Sequence, residues 1–267
     1  MKLPRISSLF FASALSLASV PAFAEIDFGN IAFVGDSITQ GAGLGNSATD
    51  KSLSYRYPLW KIFVSNGIAW NPVGSMSTFF DGSSASSSQT PDFHGNVYDN
   101  TSEGHYGWKT FDVVNGRDGG NSGSGKLSDW LGNTEYYPEG YADTMTLMLG
   151  VNDLSLGYTI EDTANYAKQI VQAYQNANGN VKSYVFSVLP TNQTWSGEAS
   201  SVKIANYNAL IKSEIESGAW GENVVYCDIT AGFDATGYTS DNVHPNARGT
   251  LLVAKKYRFG VGIESRH

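Results

Sequence analysis

The sequence predicts an α/β fold of three layers, with helices on both faces of a central five-stranded parallel sheet. Three observations carry that expectation. Short apolar runs alternate along the chain with stretches of helical spacing. The intervals between runs are long enough for crossover helices, which join parallel strands. No internal repeat or linker divides the 267 residues, a length that suits one large domain or two small ones.

The elements follow in order. Lys2 and Arg5 precede an apolar run from Leu9 to Val20, and Ala22 and Ala24 are small residues at the positions a signal peptidase reads. Residues 1–24 are therefore expected to be a cleaved secretory leader, leaving residues 25–267 as a single domain that is secreted or periplasmic. The predicted strands are Ile31–Val34, Ala69–Val73, Thr144–Leu149, Val181–Leu189 and Val224–Cys227. The predicted helices are Tyr55–Ser65, Glu161–Asn176, Val202–Ser217 and Ala247–Tyr257. Thr78–Gly125 breaks the pattern. It is rich in Gly, Ser, Asn and Asp, and its Ser83–Asn100 part reads either as a cover over a site or as disorder.

Composition excludes some partners. The chain carries 17 Lys and Arg against 25 Asp and Glu, a net charge of −8, and loss of the leader removes two positive charges. An acidic protein is a poor electrostatic match for nucleic acid or an anionic membrane, and stable membrane insertion is not expected once the leader is gone. The one cysteine, Cys227, lies in an apolar strand and reads as a small core residue. His94, His105, His244 and His267 lack metal-ligand spacing, so no metal is expected. Gly120–Lys126 has the spacing of a phosphate loop, but Leu127 stands where Ser or Thr must hold magnesium, so it reads as a loop and no cofactor is expected.

Open sheets of this kind bind ligands beyond the carboxyl ends of their strands. Two polar blocks follow predicted strands directly: Gly35-Asp36-Ser37 and Gly150-Val151-Asn152-Asp153. A third, Asp241-Asn242-Val243-His244-Pro245, precedes the last helix. There a carboxylate three residues before a histidine can fix its tautomer. A fourth, Glu103-Gly104-His105-Tyr106-Gly107-Trp108-Lys109-Thr110, offers glycine N–H groups from the irregular region. Each block alone also fits an ordinary turn. A carboxylate pair, Asp36 and Asp153, would suit glycoside hydrolysis, but it leaves Ser37, Asn152 and His244 unexplained.

Taken together, in this order, the four blocks resemble the SGNH (GDSL-type) hydrolases, whose flavodoxin-like fold matches the expected sheet. The resemblance covers nearly all of residues 25–267. It implies Ser37 as nucleophile, His244 as base and Asp241 as its orienting acid. It implies an oxyanion hole from the N–H of Ser37, the N–H of Gly107 and the side chain of Asn152. Gly104 competes with Gly107, which is preferred because aromatic-Gly-x-x-Thr aligns better with the family's Ser-Gly-x-Thr. Tyr106 departs from the small residue usual there.

Ser54-Tyr55-Arg56-Tyr57-Pro58-Leu59, Val73-Gly74-Ser75 and Glu103–Trp108 resemble the branch of carbohydrate esterases that deacetylate xylan and related glycans. The implied activity is hydrolysis of a small-molecule or polysaccharide ester, with Trp108 and Trp195 as candidates for stacking on sugar rings. The rival readings are a lipase or lysophospholipase, and a glycan-binding protein on a hydrolase fold without catalysis.

Overall fold

The computed structural model describes residues 26–41, 53–86 and 88–263, so the leader reading of residues 1–24 lies outside the described residues. Six parallel strands form one sheet: β1 (Ile31–Gly35), β2 (Pro72–Val73), β3 (Glu103–Gly104), β4 (Thr144–Met148), β5 (Lys182–Phe186) and β6 (Val224–Cys227). Their order is β6-β5-β4-β1-β2, with β3 also on β1. The five expected strands are present, β2 shortened to two residues. The sixth, β3, comes from the irregular region. One flank of β1 is shared: Ile31 and Ala32 pair with Pro72 and Val73, and Val34 and Gly35 pair with Glu103 and Gly104. Its other flank pairs along its whole length with β4.

Alternation along β1 builds two cores. Ala32 and Val34 face one, with Leu147, Ile170, Val171, Ile204 and Ile211. Ile31 and Phe33 face the other, with Phe63, Phe186, Val253 and Tyr257. The first core is covered by α5 (Ile160–Ala177) and α6 (Ser200–Glu216), the second by α2 (Arg56–Ser65) and α7 (Ala247–Gly260). Three shorter helices matter for the site: α1 (Ser37–Gln40), α3 (Thr110–Asn115) and α4 (Val151–Ser155). Local sequence starts the long helices. Thr159 accepts from the Asp162 N–H ahead of α5, whose first turn carries Glu161 and Asp162. Asn246 accepts from the Arg248 and Gly249 N–H groups ahead of α7.

The irregular region is anchored. Phe79 and Tyr98 are buried with Leu53, Tyr57 and Trp60 in a small third core. The fully buried Arg56 ties that region to α1. Its guanidinium donates to the Thr39 carbonyl (2.9 Å), to the Asn100 and Thr101 carbonyls (3.0 Å each) and to Asn100 Oδ1 (2.9 Å). Gly120–Lys126 folds into a tight turn whose Ser124–Gly125 pairs antiparallel with Arg117–Asp118, so its phosphate-loop spacing belongs to a hairpin. Cys227 is buried as expected, and burial pushes its thiol up to about 12.

Candidate active site

The chain leaves β1 for β2 on one side and returns to β4 on the other. The carboxyl ends of β1 and β4 therefore flank the crevice where such sheets bind ligands. Gly35 ends β1. A Cβ there would collide with Thr39 Oγ1 and approach the Met148 carbonyl to 2.9 Å, so only glycine lets the strand end lie this close to α1 and β4. Asp36 then caps α1 by accepting from the Ile38 N–H at 3.0 Å, and Ser37 opens the helix. Burial raises the Asp36 carboxyl to about 6, against the lowering effect of the Ile38 N–H and His244.

Ser37 Oγ lies 2.8 Å from His244 Nε2, although 207 residues separate them. His244 Nδ1 lies 2.7 Å from Asp241 Oδ2. A carboxylate only accepts, so Nδ1 carries the hydrogen and the Nε2 lone pair faces the serine hydroxyl. Asp241 Oδ1 accepts from the backbone N–H groups of Val243 (3.0 Å) and His244 (2.7 Å), which fixes the loop. Burial works against charge on Asp241, but the bonds from His244 outweigh it and hold the carboxyl below the usual range.

The other two blocks are laced together. Asn152 lies in the first turn of α4, directly beyond β4, and its Nδ2 donates to the Trp108 carbonyl at 2.8 Å, which leaves the second amide hydrogen for another acceptor. Its neighbour Asp153 is fully buried and caps α3 from outside, accepting from the Thr110 N–H (2.9 Å) and Oγ1 (2.6 Å). Burial raises Asp153 to about 6, opposed by those bonds. Between these anchors, Gly107 turns the chain at φ +73°, a region that favours glycine. Its N–H has no acceptor among the described residues. Gly104 differs. Its N–H donates to Ser102 Oγ at 3.2 Å, and a Cβ there would collide with the Gln40 backbone. Of the two glycines, Gly107 is therefore the one with a free donor.

The GDSL-like Lipase/Acylhydrolase family matches residues 33–251, a span that contains every one of these groups. The chain belongs to that family. A multidomain esterase of Ruminococcus flavefaciens is 27% identical over 158 residues, 59% of this chain and 20% of that protein, so the match spans about a fifth of the relative's length. A carbohydrate esterase family 3 structure from Talaromyces cellulolyticus shares 24% identity over 86% of this chain and 94% of its own, with a TM-score of 0.62. A family 3 carbohydrate esterase from Clostridium thermocellum shares 23% over the same shares, with a TM-score of 0.61. Identities this low establish the common fold.

For this GDSL-family chain, the structure corrects the stacking candidates. Trp108 is fully buried, stacked on His105 at 4.4 Å between ring centroids. Trp195 is 7% exposed and packs in the core of α5 and α6, its Nε1 bonded to Gln193 Oε1. Neither presents a face to a substrate. Burial depends on what the fold brings opposite a residue, which the local sequence does not encode.

Beside Ser37 lies a cavity of about 30 Å³, lined by Ile38, Leu53, Tyr55, His244, Pro245 and Thr250 among others. One water needs roughly 10–15 Å³, so the cavity suits a small group. A larger cleft of about 410 Å³, between α6 and the end of β6, contains none of the polar blocks. Among the described residues, no three His, Cys, Asp or Glu are grouped to hold a metal, and no helix is long and apolar enough to cross a membrane.

Gln40 and Phe80 escaped the sequence reading, and Tyr106 entered it only as a departure from the family pattern. Gln40, 1% exposed, donates from Nε2 to the Thr78 and Asn121 carbonyls and accepts from the Tyr106 N–H at 2.7 Å. Tyr106 lies over His244, and Phe80 over Tyr106. Phe79-Phe80 did carry a signal: adjacent aromatics in a loop rarely both reach a core, so one is left for the surface.

Proposed function

We propose that the protein is a serine esterase that works through an acyl-enzyme and removes acetyl groups from a carbohydrate. The observation that carries the esterase reading is the unbroken contact from Ser37 Oγ to His244 Nε2 to Asp241. Ser37 Oγ attacks the acyl carbon as its proton passes to His244 Nε2. The carbonyl π pair becomes an oxyanion, held by the N–H of Ser37, the N–H of Gly107 and the Asn152 amide. Collapse breaks the bond to the alkoxy oxygen, and His244 gives that oxygen the proton. Water, deprotonated by His244, then attacks the acyl-Ser37 ester; Ser37 recovers the proton and the carboxylic acid leaves. Asp241 keeps the imidazole in its tautomer and stabilises the imidazolium.

The small cavity beside Ser37 favours a short acyl group. The carbohydrate alcohol rests on the likeness to carbohydrate esterases and to a multidomain esterase. The leader pattern of residues 1–24 fits action on an extracellular or periplasmic substrate. The test is release of p-nitrophenol from p-nitrophenyl esters of increasing acyl length. Acetate should be the best substrate and Ser37→Ala should be inactive while remaining folded. Preference for long acyl chains would support the lipase reading. Glycan binding by a wild type inactive on every ester would support the non-catalytic one.

A further inference from the structure

The sugar of a carbohydrate ester must lie beside His244, because Nε2 returns the proton to the leaving oxygen. The ring next to the imidazole is Tyr106, with centroids 5.6 Å apart and planes 15° from parallel. On Tyr106 lies Phe80, at 3.9 Å and 20°. Three flat rings thus form a column that begins at the proton donor. Its outermost member is 40% exposed, although the preceding Phe79 is 1% exposed. The chain turns one phenyl inward and leaves the other facing water, at a cost in unburied apolar area.

This exposed ring is held in place. The Phe80 N–H donates to the Gly41 carbonyl at 3.1 Å, just past the end of α1. The buried Gln40 amide grips the Thr78 carbonyl, the Asn121 carbonyl and the Tyr106 N–H together. One side chain on the nucleophile's own helix therefore fixes both rings relative to Ser37. Such pre-ordering lowers the entropy lost when a ligand binds.

The acylated ring itself sits against His244, and Phe80 stands one ring further out; we propose that Phe80, backed by Tyr106, is the stacking platform for the neighbouring pyranose of a glycan chain, an inference that rests on the esterase reading above. A pyranose with equatorial hydroxyls, such as xylose, presents a face of axial C–H groups. That face matches the negative face of a phenyl ring. The acyl chain is the weaker occupant, since its cavity is lined by Leu53 and Tyr55 and is small.

The experiment compares an O-acetylated methyl β-xylopyranoside with an O-acetylated xylotriose, two esters of the same acid, by titrating released acetic acid. In Phe80→Ala, the ratio of kcat/KM for the trisaccharide to that for the monosaccharide falls about tenfold, chiefly through KM of the trisaccharide. Phe80→Trp restores it. A ratio within twofold of wild type in Phe80→Ala, or no recovery in Phe80→Trp, overturns the platform. If wild type deacetylates both sugars efficiently while that ratio is unmoved, the platform alone fails and the deacetylase reading stands. If wild type hydrolyses ethyl acetate but neither sugar ester, the carbohydrate reading fails and the platform with it.

Discussion

The molecule contains two histidine–carboxylate pairs that are alike in chemistry and opposite in setting. His244 meets Asp241 at 2.7 Å, with their side chains 27% and 53% exposed. His105 meets Glu103 at 2.9 Å, with both side chains fully buried. The decisive difference lies at the second ring nitrogen. For His244 it faces the Ser37 hydroxyl, which can give a proton. For His105 it faces the Ser122 carbonyl at 2.8 Å, which can only accept. Glu103 also accepts from the Ser75 N–H and Oγ and from Tyr137 Oη. Both nitrogens of His105 therefore face oxygens fixed by the fold, and neither faces a serine hydroxyl. Trp108 and Trp130 pack against that ring at 4.4 and 4.7 Å and against each other at 5.8 Å. One pair opens onto a hydroxyl, the other closes into the core.

Breaking each pair should therefore give opposite phenotypes. The largest effect is expected from His244→Ala. It should lower kcat on p-nitrophenyl acetate by about 10⁴-fold or more, while the melting temperature moves little because the ring is partly exposed. Next comes Glu103→Gln, which removes one partner of a buried pair and should cost about 3–5 kcal/mol of stability. Calorimetry should then show Tm falling by roughly 10 °C. Well below Tm, kcat should fall far less than in His244→Ala. A Glu103→Gln protein with wild-type Tm would break the comparison.

Asn152→Ala sharpens the catalytic side. It should lower kcat by about 10²–10³-fold, with KM for the acetate ester little changed, since the oxyanion forms after binding. Its amide also holds the Trp108 carbonyl. Asn152→Asp keeps the size and removes both donors, and it should be at least as inactive. Substantial activity in either variant would take Asn152 out of the oxyanion hole.

What could be read in the sequence depended on range. Ile31–Val34 and Thr144–Leu149 are apolar runs closed by glycine, so both strand ends, and with them Ser37 and Asn152, were legible locally. Asp241 and His244 lie three residues apart, and that pair was legible too. β3 was not, because two residues have no periodicity and its place is set by pairing with the end of β1. The sugar platform was sought at Trp108 and Trp195 because size and type suggested it. Both lie inside, and exposure went to Phe80, in a stretch without pattern. Glu103 and His105 carried a weak sign of their link: residues two apart at a strand end project to the same side.

The smallest expected effect separates stability from chemistry within the Gly35-Asp36-Ser37 block itself. Asp36 is 2% exposed, and burial raises its carboxyl to about 6 from an unfolded value near 3.8. Between those values the folded protein binds the proton that the unfolded chain releases. Stability from this group is therefore fully present below about pH 4 and is lost as pH rises to about 6. Two pH units correspond to about 3 kcal/mol. Asp36→Asn should remove this slope while keeping an oxygen to accept from the Ile38 N–H. Denaturant titrations should show the variant more stable than wild type by up to about 3 kcal/mol at pH 7, with the gap closing toward pH 4. A gap independent of pH would mean that the Asp36 carboxyl keeps its ordinary range and that burial is compensated. The residual slope in Asp36→Asn should follow Asp153, the other buried carboxyl raised to about 6. Both lie directly beside the residues proposed for chemistry. This arrangement places an unfavourable buried charge next to Ser37 and Asn152 above pH 6, whereas Glu103 is met by donors from Ser75 and Tyr137.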